Sequence, residues 1–135
     1  MLFRSDALAN TAMLYRVEKR YDDALKVLAN PEPSIGRLLA ERAYVYMAMG
    51  RPDEARKTVD EMLRIAKTRY IRTDGLWDLY RRLGDRERTI AMLERDWKDH
   101  AIRVRFFPFD DPLVKDDPRV QAIATQVAAK RRDIL

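Results

Sequence analysis

The side chains in this chain that do chemistry are few in kind. There is one histidine, His100, and there are close-set carboxylate pairs such as Asp22/Asp23 and Asp53/Glu54. A tighter acidic group follows at Asp110, Asp111, Asp116 and Asp117, and twenty arginines are spread along the chain. A histidine is the natural proton carrier or metal ligand, but His100 has no Glu or second His at ligand spacing. Cysteine is absent, which removes thiolate metal sites, disulfides and cysteine nucleophiles together. No phosphate-cradling glycine loop, nucleophile elbow or dinucleotide fingerprint occurs. The carboxylate pairs sit where helices are expected to start, so capping accounts for them. The later aspartates offer the oxygen ligands a hard cation takes. They also flank Pro112 and Pro118 in a turn-forming context, without a calcium-loop pattern, and turn formation with capping is the preferred reading. No catalytic, cofactor-binding or metal-binding residue is expected. Arginine remains, and its planar fork recognises carboxylates.

The elements that position these groups follow from composition and spacing. The 135 residues suit one domain with a core of its own. About half are hydrophobic and about a third charged, as in a folded, soluble protein. The 27 basic and 22 acidic residues give a net charge of +5, but both signs are interspersed. Pairs such as Asp60/Arg64 and Glu94/Lys98 read as solvated helix faces. A nucleic-acid surface is the weaker reading, because no long basic block is present. The opening MLFRSDALAN has no apolar run of signal-peptide length. The stretch Ala43 to Met49 is far shorter than the roughly 20 residues a membrane span needs. A cytoplasmic protein without a membrane segment is expected.

Apolar residues recur at helical spacing almost throughout, with Arg42 interrupting one stripe, and no strand is expected. The stretch 43–55, AYVYMAMGRPDEA, sets Tyr46, Gly50 and Ala55 at fixed offsets. Tyr80, Gly84 and Thr89 stand 34 residues later, and Tyr15 and Ala24 stand 31 residues earlier, with Lys19 in the glycine place. The unit therefore occurs three times. A glycine after a helix takes a left-handed conformation without a Cβ penalty, whereas Lys19 takes it at a cost. Asp22, Asp53 and Asp85 are expected to cap or complement the next helix start. Small Ala24 and Ala55 let paired helices approach closely. The spacing predicts helices over about 3–18, 21–29, 34–49, 52–67, 70–83 and 86–99, with 30–34 as an abrupt connection. The segment 102–109 is expected to be an extended connector. Asp117–Pro118 then starts a last helix whose stripe, Val120, Ile123, Ala124 and Val127, must pack on the third hairpin.

This recurrence resembles the tetratricopeptide repeat (TPR) family over residues 3 to 101. The resemblance rests on the Tyr–Gly–Ala spacing, on the turns KRYDDA, GRPDEA and GDRERT, and on Leu28, Val59 and Leu93. The ending FPFDDPLVKDDPRVQAI, over about 106 to 128, is similar to the end of TPR regions in bacterial signalling and regulatory proteins. The resemblance implies an all-α fold: an α-solenoid of about three antiparallel helix hairpins (3–33, 34–69 and 70–101), a connector (102–117) and a capping helix (118–132), in one domain. It also implies the C-terminal regulatory part of a longer bacterial protein.

In such arrays the first helix of each hairpin lines a concave, partner-binding groove. The groove positions here are Met13, Arg16, Arg37, Tyr44, Met47, Ile71, Asp74, Asp78, Arg81 and Arg82. The places that hold a carboxylate clamp in one TPR subfamily carry Ala9, Met13, Ala40, Tyr44, Asp74 and Asp78, so chaperone-tail binding is not expected. The implied function is a non-enzymatic scaffold for a peptide or protein. Two alternatives stay open. One is self-association through an N-terminal end bearing Leu2, Phe3 and Leu8. The other is nucleic-acid binding by Arg69, Arg72, Arg81, Arg82, Arg86 and Arg88.

Overall fold

The structure is a computed structural model, and it describes residues 2–29 and 35–134. The described residues form seven α-helices and one 3-10 helix, with no strand among them. The helices are α1 (Leu2–Val17), α2 (Tyr21–Leu28), α3 (Ile35–Ala48), α4 (Pro52–Ala66), α5 (Trp77–Arg82), α6 (Arg86–Lys98) and α7 (Pro118–Ile134). The 3-10 helix spans Ile102–Phe106. The protein is all-α, as its periodicity requires. The expected connection at 30–34 lies outside the described residues. None of the described helices is long and apolar enough to cross a membrane.

The chain divides into two compact units, 1–73 and 74–135. In the first, α1 packs on α2 and α3, and α3 packs on α4. Ala9, Ala12, Ala24, Leu28, Leu38 and Val45 form a buried cluster there, with Leu8 and Tyr15 packed against it. In the second, α5 and α7 pack on α6. Its core joins Trp77, Ile90 and Leu93 to Val104, Phe107 and Val114, and to Val120, Ile123 and Val127 of α7. The apolar stripe of α7 thus meets the α6 side of the third hairpin, as its spacing predicts.

Three helix turns repeat at the level of single hydrogen bonds. Lys19, Gly50 and Gly84 all have φ between 62° and 75°. In each case the next N–H reaches back to the tyrosine carbonyl. Arg20 donates to Tyr15 at 2.8 Å, Arg51 to Tyr46 at 2.8 Å and Asp85 to Tyr80 at 3.0 Å. This is the left-handed helix stop that satisfies carbonyls left free at a helix end. Lys19 adopts it without a glycine's freedom. His100, at φ 57°, closes α6 the same way, with Ala101 donating to the Asp96 carbonyl at 2.9 Å. His100 is an exposed turn residue.

After each of the three hairpin turns comes a fully buried small residue, Ala24, Ala55 or Thr89. Four residues on sit Leu28, Val59 and Leu93, each no more than 1% exposed. Thr89 replaces alanine without an orphan hydroxyl, because its Oγ1 donates to the Asp85 carbonyl at 2.6 Å. The expected caps divide. Asp85 is the residue before α6 and accepts from the Arg88 N–H at 3.1 Å. Asp22 and Asp53 lie two positions further in, inside the first turns of α2 and α4, whose starts carry no side-chain cap. There they complement the helix dipole, and Asp53 also accepts from Arg56 at 3.1 Å. Arg42, the interruption in the α3 stripe, donates to the Leu28 carbonyl at 2.8 Å and so closes the C-terminus of α2.

The fifth helix departs from expectation. A helix over 70–83 is predicted, but α5 starts at Trp77. Gly75 sits at φ +82°, which an α-helix cannot contain, and a Cβ there would come within 2.9 Å of the Arg103 Cδ. Its N–H donates to the buried carboxylate of Asp96 at 2.8 Å. Upstream, Ile71 and Arg72 cross α3 at Gly36, where an added Cβ would lie 3.1 Å from the Arg72 carbonyl oxygen. The expected connector at 102–109 is also tighter than extended. Its first half is the 3-10 helix, which turns Val104 and Phe107 inward together at the i, i+3 spacing of that geometry.

Candidate functional site

Six of the ten groove positions fall in the first unit and four in the second. On α1 the face bearing Asp6, Asn10, Met13 and Arg16 has counterparts 31 residues later on α3 at Arg37, Glu41, Tyr44 and Met47. The two faces are joined by two polar rungs. Arg37 donates to the Asn10 Oδ1 at 2.7 Å and pairs with Asp6 at 3.5 Å. Arg16 Nε donates to Glu41 Oε1 at 2.6 Å, with the arginine side chain a quarter exposed and Glu41 half that. The Arg16 guanidinium also lies 5.4 Å from the Tyr44 ring centre, a cation–π distance. Tyr44 and Met47 are half-buried, and Met13 is 38% exposed. Leu14 and Val17 of α1 are more exposed still, at 59% and 70%. They are apolar contact candidates that sequence reasoning passed over, because an exposed leucine has no signature of its own. Ile71 is half-buried in the non-helical segment crossing Gly36. It does not stand on a first helix as expected.

In the second unit the four positions form an internal network. Arg81 donates to Asp78 at 2.6 Å and to Asp111 at 3.0 Å, and Arg82 donates to Asp78 at 3.0 Å. Asp74 lies in the turn before α5, not on a helix, and pairs with Arg103 at 3.5 Å. Burial alone would lower the Arg81 pKa, but the bonds from Asp78 and Asp111 outweigh it and hold the pKa above its ordinary value. Asp111 is held below the usual carboxylate range, chiefly by the Leu113 N–H, which it accepts at 2.8 Å, and also by Arg81. These side chains fold the connector onto α5.

Asp117 does similar work at the start of α7. It accepts from the Arg119 N–H at 2.9 Å and from Arg119 Nη2 at 2.9 Å, and it takes a 2.7 Å bond from Arg86 of α6. The Arg119 guanidinium holds its carboxyl well below the usual range. A depressed folded-state pKa gives stability that is complete above the unfolded value, about 4. That stability is lost as pH falls through the folded value. Acid titration followed by circular dichroism is therefore expected to show stability declining below about pH 4. Asp117→Asn is expected to be less stable than wild type at pH 7, with the gap closing toward pH 2. A gap that stays constant across this range would remove Asp117 from the account.

No protein family, curated protein or solved structure matches the chain.

Proposed function

We propose that the three helix pairs are TPR-type hairpins and that the chain is a non-catalytic binding scaffold, the regulatory part of a larger cytoplasmic bacterial protein. What supports the hairpin reading is the recurrence of one left-handed turn, one buried small residue and one buried large residue at the repeat spacing. The observation that carries the binding reading is the α1/α3 face. There a half-buried Tyr44 and Met47 and an accessible Met13 lie beside the Arg16 guanidinium, which Glu41 and the Tyr44 ring hold in place. Met and Tyr supply adaptable apolar contact. The occupant is an extended or helical peptide.

Tyr44→Ala tests this face. It should leave the melting temperature within a few degrees of wild type and weaken peptide capture about tenfold or more, the loss typical of a contact worth above 1 kcal/mol. A large fall in melting temperature would assign Tyr44 to the core instead. Self-association is the second reading, favoured by the exposed Leu14 and Val17 of α1. Of the residues first assigned to it, Leu8 is half-buried against the first unit's core, and the side chains of Leu2 and Phe3 lie outside the described residues. A sedimentation coefficient independent of concentration would dispose of it. The nucleic-acid reading loses support at Arg81, Arg82, Arg86 and Arg88, which are ion-paired within the second unit.

A further inference from the structure

Ten arginines lie between residues 74 and 135. Seven are ion-paired to carboxylates of the same unit: Arg81, Arg82, Arg86, Arg88, Arg95, Arg103 and Arg119. Arg105, Arg131 and Arg132 have no ion pair among the described residues, and all three line one groove. The groove has a volume of about 600 Å³ and runs between the Arg105–Phe109 stretch and α7, with Phe107, Phe109 and Val127 among its lining. Ala124 and Ala128 also line it, and their short side chains leave room above α7. Among the described residues, Arg131 Nη2 donates to the Arg105 carbonyl at 2.6 Å. That contact fixes a guanidinium at the groove without neutralising it.

We infer that this groove binds a short acidic peptide that alternates carboxylates with apolar side chains. The cations supply forks for carboxylates, and the phenylalanines and small residues supply an apolar floor. The chemistry favours a peptide over a nucleic acid. Nucleic acids take a long cationic track along the backbone, and here the unit's other arginines are ion-paired to its own carboxylates, so the unpaired arginines gather on one compact rim beside an apolar floor. The site does not depend on the α1/α3 face, so Tyr44→Ala leaves it intact.

The test is fluorescence anisotropy on the full chain. One labelled octapeptide alternates Asp or Glu with Leu and Phe, and its twin carries Asn and Gln instead. The acidic peptide should bind in the micromolar range and the neutral twin at least about tenfold more weakly, as expected for charge-assisted bonds. Arg132→Glu makes no change to a packed contact and should weaken the acidic peptide about tenfold. Arg64→Glu, on the exposed side of α4, should leave it unchanged. Equal binding of the two peptides, or equal behaviour of the two variants, would overturn the proposal. So would a ten-nucleotide single strand that binds more tightly than the acidic peptide and is lost in Arg132→Glu.

Discussion

Ala55→Leu should destabilise the protein by about 1–3 kcal/mol, the usual cost of forcing extra methylenes into a packed core. For a unit of about 70 residues each kcal/mol corresponds to roughly 4–8 °C in melting temperature. Ala55 is fully buried, and it heads a stripe of Thr58, Val59 and Met62 on one face of α4. That spacing of three, four and seven places all four on one side of the helix, and α4 packs on α3. Two constraints prevent relief. The backbone N–H of Ala55 is bonded to the Arg51 carbonyl, and the residues before it are held in the left-handed turn at Gly50. The helix therefore cannot slide or rotate to make room without losing the turn. A thermal melt unchanged from wild type would reject the close-packed role, and with it the reading of Ala24 and Thr89 as its equivalents.

The second large effect is expected at Trp77, the centre of the second unit's core. Trp77 is 6% exposed and meets Phe107 edge-on at 4.8 Å between ring centres. Truncation to alanine is expected to cost about 3–5 kcal/mol through lost burial and the cavity left behind. Trp77→Phe separates packing from hydrogen bonding. The indole Nε1 is buried and has no partner among the described residues, and a buried donor left unbonded carries a penalty of about 1–3 kcal/mol. Phenylalanine removes that donor while keeping most of the ring, so the two effects offset. The Phe variant should lie within about 1 kcal/mol of wild type. Urea unfolding of both variants checks this. Equal damage from Phe and Ala would mean that the indole N–H has a bonding role.

Much of this fold is legible in the sequence because its determinants are local. A helix stop that needs a left-handed residue selects glycine, so Gly50 and Gly84 mark it, and the Tyr spacing exposes Lys19 in the same role. Burial of Ala24, Ala55, Leu28, Val59 and Leu93 follows from helical periodicity. The start of α7 follows from the Asp117–Pro118 pair. The losses occur where the signal is non-local or was overruled. Asp74–Gly75 is itself a turn signal. The apolar period running through Leu76, Leu79 and Tyr80 competes with it, and the helix predicted over 70–83 starts seven residues before the observed start at Trp77. Asp96 has no burial signal in its neighbourhood, yet it is 2% exposed. Its burial is set by the Gly75 N–H that it accepts from 21 residues away. The candidate face was legible in its members Tyr44, Met47 and Arg16. Their fixing by Glu41 was not, because a pair spanning 25 residues leaves no mark in the spacing. Arg105, Arg131 and Arg132 were lost among twenty arginines, since only the structure shows which ones lack a carboxylate.

The central claim is that the α1/α3 face takes a peptide. Selection of a displayed random-peptide library on the immobilised chain, followed by rebinding to variants, tests it most directly. The account predicts enriched peptides that bind wild type and Lys57→Ala, a change on exposed α4 surface, and fail on Tyr44→Ala and Met47→Ala. No enrichment, or only peptides that bind all four proteins alike, would contradict it.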